Sequence, residues 1–172
     1  MGIDALTYTD GGERIAPQTK EDWTDWVSAT ATRNYVLDDP LLDWLGLYGK
    51  EHGFKTDFQL PGYDSRTDFS RFVMRKGREF EDAVVKHLET LLPIYNVATN
   101  PMQSRKLEAA EQTFEAMCRG EPAISQAVLR DAESRTYGLA DLLIRSDELY
   151  RLFPRCLTEE EAAISAPDLG GS

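Results

Sequence analysis

Thr136-Tyr137-Gly138-Leu139-Ala140-Asp141-Leu142-Leu143-Ile144-Arg145-Ser146 is an apolar run with one carboxylate, Asp141, inside it. Its length and composition predict a β-strand. With side chains alternating every second residue, Asp141 shares a face with Leu139 and Leu143, while Ala140, Leu142 and Ile144 take the other. Two apolar faces predict a central, buried strand. A carboxylate there is costly unless it meets a metal, a proton or a hydrogen-bond donor.

The residues before this run supply its partner. Ala123-Ile124-Ser125-Gln126-Ala127-Val128-Leu129 predicts a strand, and the short polar link Asp131 to Arg135 predicts an antiparallel hairpin. Further upstream the pattern is helical. Asp39 at a cap and Pro40 at the first helical position open a helix whose Leu41, Trp44, Leu45 and Tyr48 form a core-facing stripe, closed by His52-Gly53. Ser28 or Thr30 caps a shorter helix before it, through Leu37. From Asp68 to Leu92 a long helix places Val73, Gly77, Phe80, Val84, Val85, Leu88, Leu91 and Leu92 within one arc of about 140°. Glu81 falls inside that arc. It is either a carboxylate turned inward or an edge residue that reaches solvent or an arginine. Ile94 to Val97 is a strand or a packed connection. Another helix from near Ser104 has the stripe Leu107, Ala110, Phe114 and Met117 or Cys118, and stops at Gly120 and Pro122.

The ends are less patterned. Residues 1–27 are expected as a loosely attached leader that Trp23 and Trp26 anchor by hydrophobic docking. Residues 28–153 hold the helices and hairpin. Residues 154–172, with Glu159-Glu160-Glu161 and then small residues, are expected as a linker-like tail after an apolar turn at 149–154. The fold class expected is mixed α/β (α+β): N-terminal helices followed by a helix-flanked hairpin.

Composition removes several classes of function. No apolar stretch approaches the length of a membrane span, and no signal-peptide pattern opens the chain, so a cytoplasmic protein without a membrane partner is expected. Cys118 and Cys156 lack ligand-like spacing and are expected as free thiols. His52 and His87 form no zinc motif, and no G-x-S-x-G elbow supports a serine nucleophile. The net charge of −11 argues against a general nucleic-acid coat, but it leaves room for a local DNA groove in which metal ions screen the phosphates.

Two inward carboxylates on separate elements suit Mg²⁺, a hard cation that takes oxygen ligands. Lys76-Gly77-Arg78-Glu79-Phe80-Glu81, followed by Val84 and Leu88, resembles the "G-x-x-FE" helix of the RecB-like branch of the PD-(D/E)xK nuclease superfamily. Gly138-Leu139-Ala140-Asp141 resembles its "G-x-x-D" strand, and the stretch from Gly120 to Leu129 resembles its first core strand. Asp39-Pro40-Leu41-Leu42-Asp43-Trp44 is similar to the helical region that precedes them. The order and spacing of these motifs, over residues 28 to 153, make the likeness. It implies an incomplete restriction-endonuclease-like core that cleaves DNA with Mg²⁺ (or Mn²⁺), with Glu81 and Asp141 as catalytic metal ligands. Lys76 and Arg78 become candidate phosphate contacts against the alternative of solvated surface, and Gln126 a candidate site-lining amide against that of a satisfied core amide.

One departure is large. The family's (D/E)-x-K strand follows the aspartate, and no lysine follows Asp141 here. The expectation is a chain cut before that strand, or a degenerate homologue, with little or no nuclease activity of its own and DNA as partner. A missing C-terminal segment or a protein partner is the further expectation. The alternative is a non-catalytic interaction module on the nuclease fold; a structural α/β domain in which both carboxylates pair with arginines is a third reading.

Overall fold

The hairpin around Asp141 forms. In the computed structural model, which describes residues 3–17, 19, 22–98 and 100–163, β3 (Ala123–Asp131) and β4 (Thr136–Ile144) pair antiparallel from Asp131↔Thr136 to Ala123↔Ile144. They sit in a four-stranded sheet of order β1-β4-β3-β2, with β1 (Val27–Ser28) parallel to β4 and β2 (Ile94–Asn96) parallel to β3. The segment Ile94–Asn96 is therefore a strand. Parallel neighbours need a crossover connection, and between β2 and β3 it is a 3-10 turn (Pro101–Arg105) followed by the helix α4. The helices among the described residues are α1 (Ala29–Val36), α2 (Pro40–Trp44), α3 (Phe69–Leu88), α4 (Leu107–Cys118), α5 (Ser146–Leu152) and α6 (Glu159–Ala162). The fold is mixed α and β, as its periodicities imply.

The core lies between α4 and the sheet, and its small side chains let the layers approach. Ala109, Ala110 and Ala116 of α4 meet Ile124, Ala127 and Val128 of β3. Beyond β2, the edge of β3 is covered from outside the sheet. The buried Thr113 hydroxyl accepts the Val128 N–H at 2.9 Å and donates to the Ala109 carbonyl at 3.0 Å, so a buried backbone donor does not go unpaired. The Ala132 N–H donates to the Ala5 carbonyl at 2.9 Å.

Residues 3–6 are not loosely attached: they form a 3-10 turn whose Leu6 is buried with Ala98, Ala109, Ala110 and Val128. Trp26 is buried as well, and Trp23 packs edge-on to Tyr137 at 4.9 Å between ring centres. The indoles anchor the N-terminal stretch because they have a sheet surface to bury.

The C-terminal part also differs from expectation. Residues 149–152 belong to α5 rather than to a turn, and Glu159 to Glu161 lie in α6 rather than in a linker. A capping box sets the latter: Thr158 Oγ1 accepts the Glu161 N–H, and the Glu161 carboxylate accepts the Thr158 N–H. The Ser146 hydroxyl donates to the Ala162 carbonyl at 3.0 Å and ties α6 to α5. Residues 164–172 of the expected tail lie outside the described residues.

The chain divides into two compact units, Met1–Ala29 with Leu88–Ser172, and Thr30–His87. In the second, Pro40 opens α2 as expected, and a π-helical turn (Leu45–Gly49) extends it. Its stripe is not a core, however. Leu41, Trp44 and Tyr48 are exposed, and Trp44 gathers Tyr48, His52 and Phe54 within 6.1 Å between ring centres. The long helix ends at Leu88, ahead of Pro93. Its stripe is buried only toward that end: Leu88 is 3% exposed, whereas Phe80 is 71% and Phe69 75%. The segment before it offers only short helices, which leave Phe69, Phe72, Val73, Met74 and Phe80 uncovered. No helix among the described residues is long and apolar enough to cross a membrane.

Candidate functional site

Asp141 is the one exposed residue of β4, not a buried one. The reason is the length of its neighbour. β1 contributes two residues and pairs only with Thr136 and Tyr137, so past Tyr137 the outer edge of β4 has no strand partner among the described elements. The carboxylate therefore avoids the desolvation that made it look expensive, and it needs no ligand to be tolerated there.

The backbone opposite Asp141 is irregular. Ser125 pairs with Leu142 and Ala127 with Ala140, so Gln126 stands across the hairpin from Asp141, and this is the one position where the ladder lapses. Gln126 has φ +51°, in the left-handed region that a side chain with a Cβ disfavours. Its carbonyl accepts the Ala98 N–H at 3.2 Å, which continues the β2 edge. Gln126 and Asp141 thus occupy facing positions at the point where the ladder is interrupted.

Gly138, the glycine of the strand motif, has a packing role. A Cβ on it would stand 3.0 Å from the Ala29 Cβ at the start of α1, closer than side chains ordinarily approach. Gly77, the glycine of the helix motif, differs: a Cβ added there would meet nothing within 4 Å.

The other sequence-derived residues lie on α3. Glu81 is half-buried there. Lys76 is held by Glu79, Nζ to carboxylate 2.5 Å, with Arg75 at 3.8 Å from the same group; the Lys76 hydrogen bond keeps the Glu79 carboxyl below its usual pKa. Arg78 is exposed on the same helix. Gln126 and Asp141 are thus brought together by the hairpin, while Lys76, Arg78 and Glu81 share a helix of the other compact unit. Among the described residues no three His, Cys, Asp or Glu side chains converge as a metal cage.

At the start of α3 an open cleft of about 500 Å³ is lined by Asp57, Tyr63, Asp64 and Asp68. Asp68 caps α3, accepting the Arg71 N–H at 3.0 Å and the Tyr63 hydroxyl at 2.7 Å, and both bonds lower its pKa. In the sheet unit, sequence reasoning missed a cluster of Arg105, Arg130 and Tyr137 around the two indoles. Its members are scattered along the chain, and no periodicity joins them. Compared with family models, with curated proteins and with solved structures, the chain matches none.

Proposed function

We propose that this chain carries a metal site of a DNA nuclease, with Asp141 as a ligand for Mg²⁺ or Mn²⁺ and Gln126 across the hairpin from it. The observation that supports it best is the pairing of an exposed strand carboxylate with a strained residue directly across the hairpin. Non-glycine residues in the left-handed region cost of order 1–3 kcal/mol and gather at functional sites. Glu81, Lys76 and Arg78 receive their roles as second carboxylate and phosphate contacts from the sequence pattern alone.

The donor chemistry fits the metal. An accessible carboxylate is a hard oxygen ligand, and Mg²⁺ commonly takes one or two carboxylates and completes its shell with water and substrate phosphate oxygens. When bound, such an ion stabilises charge on the phosphodiester and activates water. Asp141 would hold the ion, and Gln126 stands across the hairpin from it on β3. DNA affinity measured with and without Mg²⁺, for the wild-type chain and for Asp141→Asn, tests this reading: the Mg²⁺ dependence should vanish with the carboxylate.

A second reading is a non-catalytic interaction module. The uncovered Phe69, Phe72, Val73 and Phe80, which share one side of α3, favour it, since contiguous exposed apolar surface commonly marks an interface. In that case DNA affinity is weak and indifferent to Mg²⁺.

A further inference from the structure

Trp23, Trp26, Arg105, Arg130 and Tyr137 converge in the sheet unit. Arg130, on β3, is only 9% exposed. Its guanidinium lies over Trp26 at 4.5 Å and over Trp23 at 5.5 Å. Nη2 donates to the Ile15 carbonyl at 3.1 Å, and Nε is buried with no hydrogen-bond partner. Arg105, from the turn before α4, approaches the same Trp23 ring at 5.3 Å and donates from Nε and Nη2 to the Tyr137 hydroxyl at 3.2 and 3.0 Å. Among the described residues no carboxylate pairs with either guanidinium.

The cluster is rich in donors and poor in acceptors. Guanidinium groups have N–H donors and no acceptor, and a phenol that already accepts from Arg105 still has its own hydrogen to give. Cation–π contact offsets part of the desolvation of Arg130. It does not satisfy the buried Nε, and a buried donor without its hydrogen bond is destabilising. Two cations around one indole also repel each other. A group that brings several acceptor oxygens and negative charge would relieve all three costs.

We infer that Arg105, Arg130 and Tyr137 form a binding site for a phosphate group. Three donor groups from separate elements suit a tetrahedral oxyanion better than a flat carboxylate, and guanidinium matches phosphate oxygens in pairs. Arg105 is exposed and Tyr137 half-exposed, while Arg130 is buried against the indoles. The phosphate belongs either to a nucleic-acid strand or to a free phosphate compound. Neither source requires the metal site at Asp141.

Tryptophan emission is the test, because Trp23 and Trp26 line the cluster while Trp44 lies in the other unit. The full chain is titrated in EDTA with inorganic phosphate and, separately, with a short thymidine oligonucleotide. The expected result is a saturable change in emission that Arg105→Ala weakens by about tenfold or more and Tyr137→Phe weakens less. Saturation by the oligonucleotide at far lower phosphate concentration assigns the site to a strand; equal saturation per phosphate assigns it to a free phosphate compound. No saturable response to either ligand, or the same affinity in wild type and both variants, overturns the inference. Far-UV circular dichroism checks folding, and if Arg105→Ala fails to fold, Tyr137→Phe decides, since it keeps the ring and removes only the hydroxyl, which is both a donor and the acceptor of the two Arg105 bonds. With divalent metal removed, this outcome is separate from that of the nuclease reading.

Discussion

Gln126 pays a conformational penalty that its neighbours in β3 do not. A left-handed residue with a Cβ costs about 1–2 kcal/mol, and glycine escapes the cost. Gln126→Gly is therefore expected to raise unfolding stability by about 1 kcal/mol in urea denaturation; a loss of stability would mean that its side chain holds more in place than its backbone strains. The two motif glycines give opposite expectations. Gly138→Ala pushes a methyl against Ala29 and should destabilise by about 1–3 kcal/mol, the usual range for overpacking. Gly77→Ala fills open space in mid-helix and should stabilise by up to about 1 kcal/mol. Both effects are measurable in the same denaturation series. A destabilising Gly77→Ala would show that α3 is covered there.

At the scale of elements, α3 depends on its start. Asp68 accepts the Arg71 N–H and the Tyr63 hydroxyl, and these bonds hold its carboxyl below the ordinary value of 3.8. A carboxylate whose folded pKa is depressed stabilises the helix fully above the unfolded pKa. That contribution is lost as pH falls through the folded value. Asp68→Ala should therefore lower helicity at neutral pH by far-UV circular dichroism, and the difference from wild type should close in acid below 3.8. A constant difference across that range would assign the loss to something other than the ionised cap. The same element shows what amphipathic spacing omits. Val73 and Phe80 lie on the arc that the sequence marks as buried, and Leu88 shares it, yet only the last is covered.

Across the whole molecule, what was legible came from short-range pattern. The β3–β4 hairpin, the α4 stripe with Ala110 buried, and the Pro40 helix start follow from spacing and turn chemistry in neighbouring residues. The exposure of Asp141 did not, because alternation fixes which side chains share a face and says nothing of what lies beside the strand, where β1 pairs with only Thr136 and Tyr137. The α6 capping box was present in Thr158 and Glu161 but was hidden by the acidic run around it. The Arg105–Arg130–Tyr137 cluster joins the N-terminal stretch, the turn before α4 and both hairpin strands, so only the fold brings it into view. Of the candidate nuclease residues, the hairpin unites Asp141 with Gln126, an adjacency that the register of two strands makes checkable from sequence once the hairpin is drawn.

On the proposed function, Asp141 would hold a divalent cation that in turn holds DNA. A fluorescent duplex titrated by anisotropy in EDTA and in Mg²⁺ puts this to the test, with wild type and Asp141→Asn side by side. Mg²⁺ should tighten wild-type binding by about tenfold, roughly 1.4 kcal/mol, and leave the Asp141→Asn chain unchanged. Wild-type affinity that is the same in EDTA and Mg²⁺, or a Mg²⁺ effect that survives in Asp141→Asn, would contradict it.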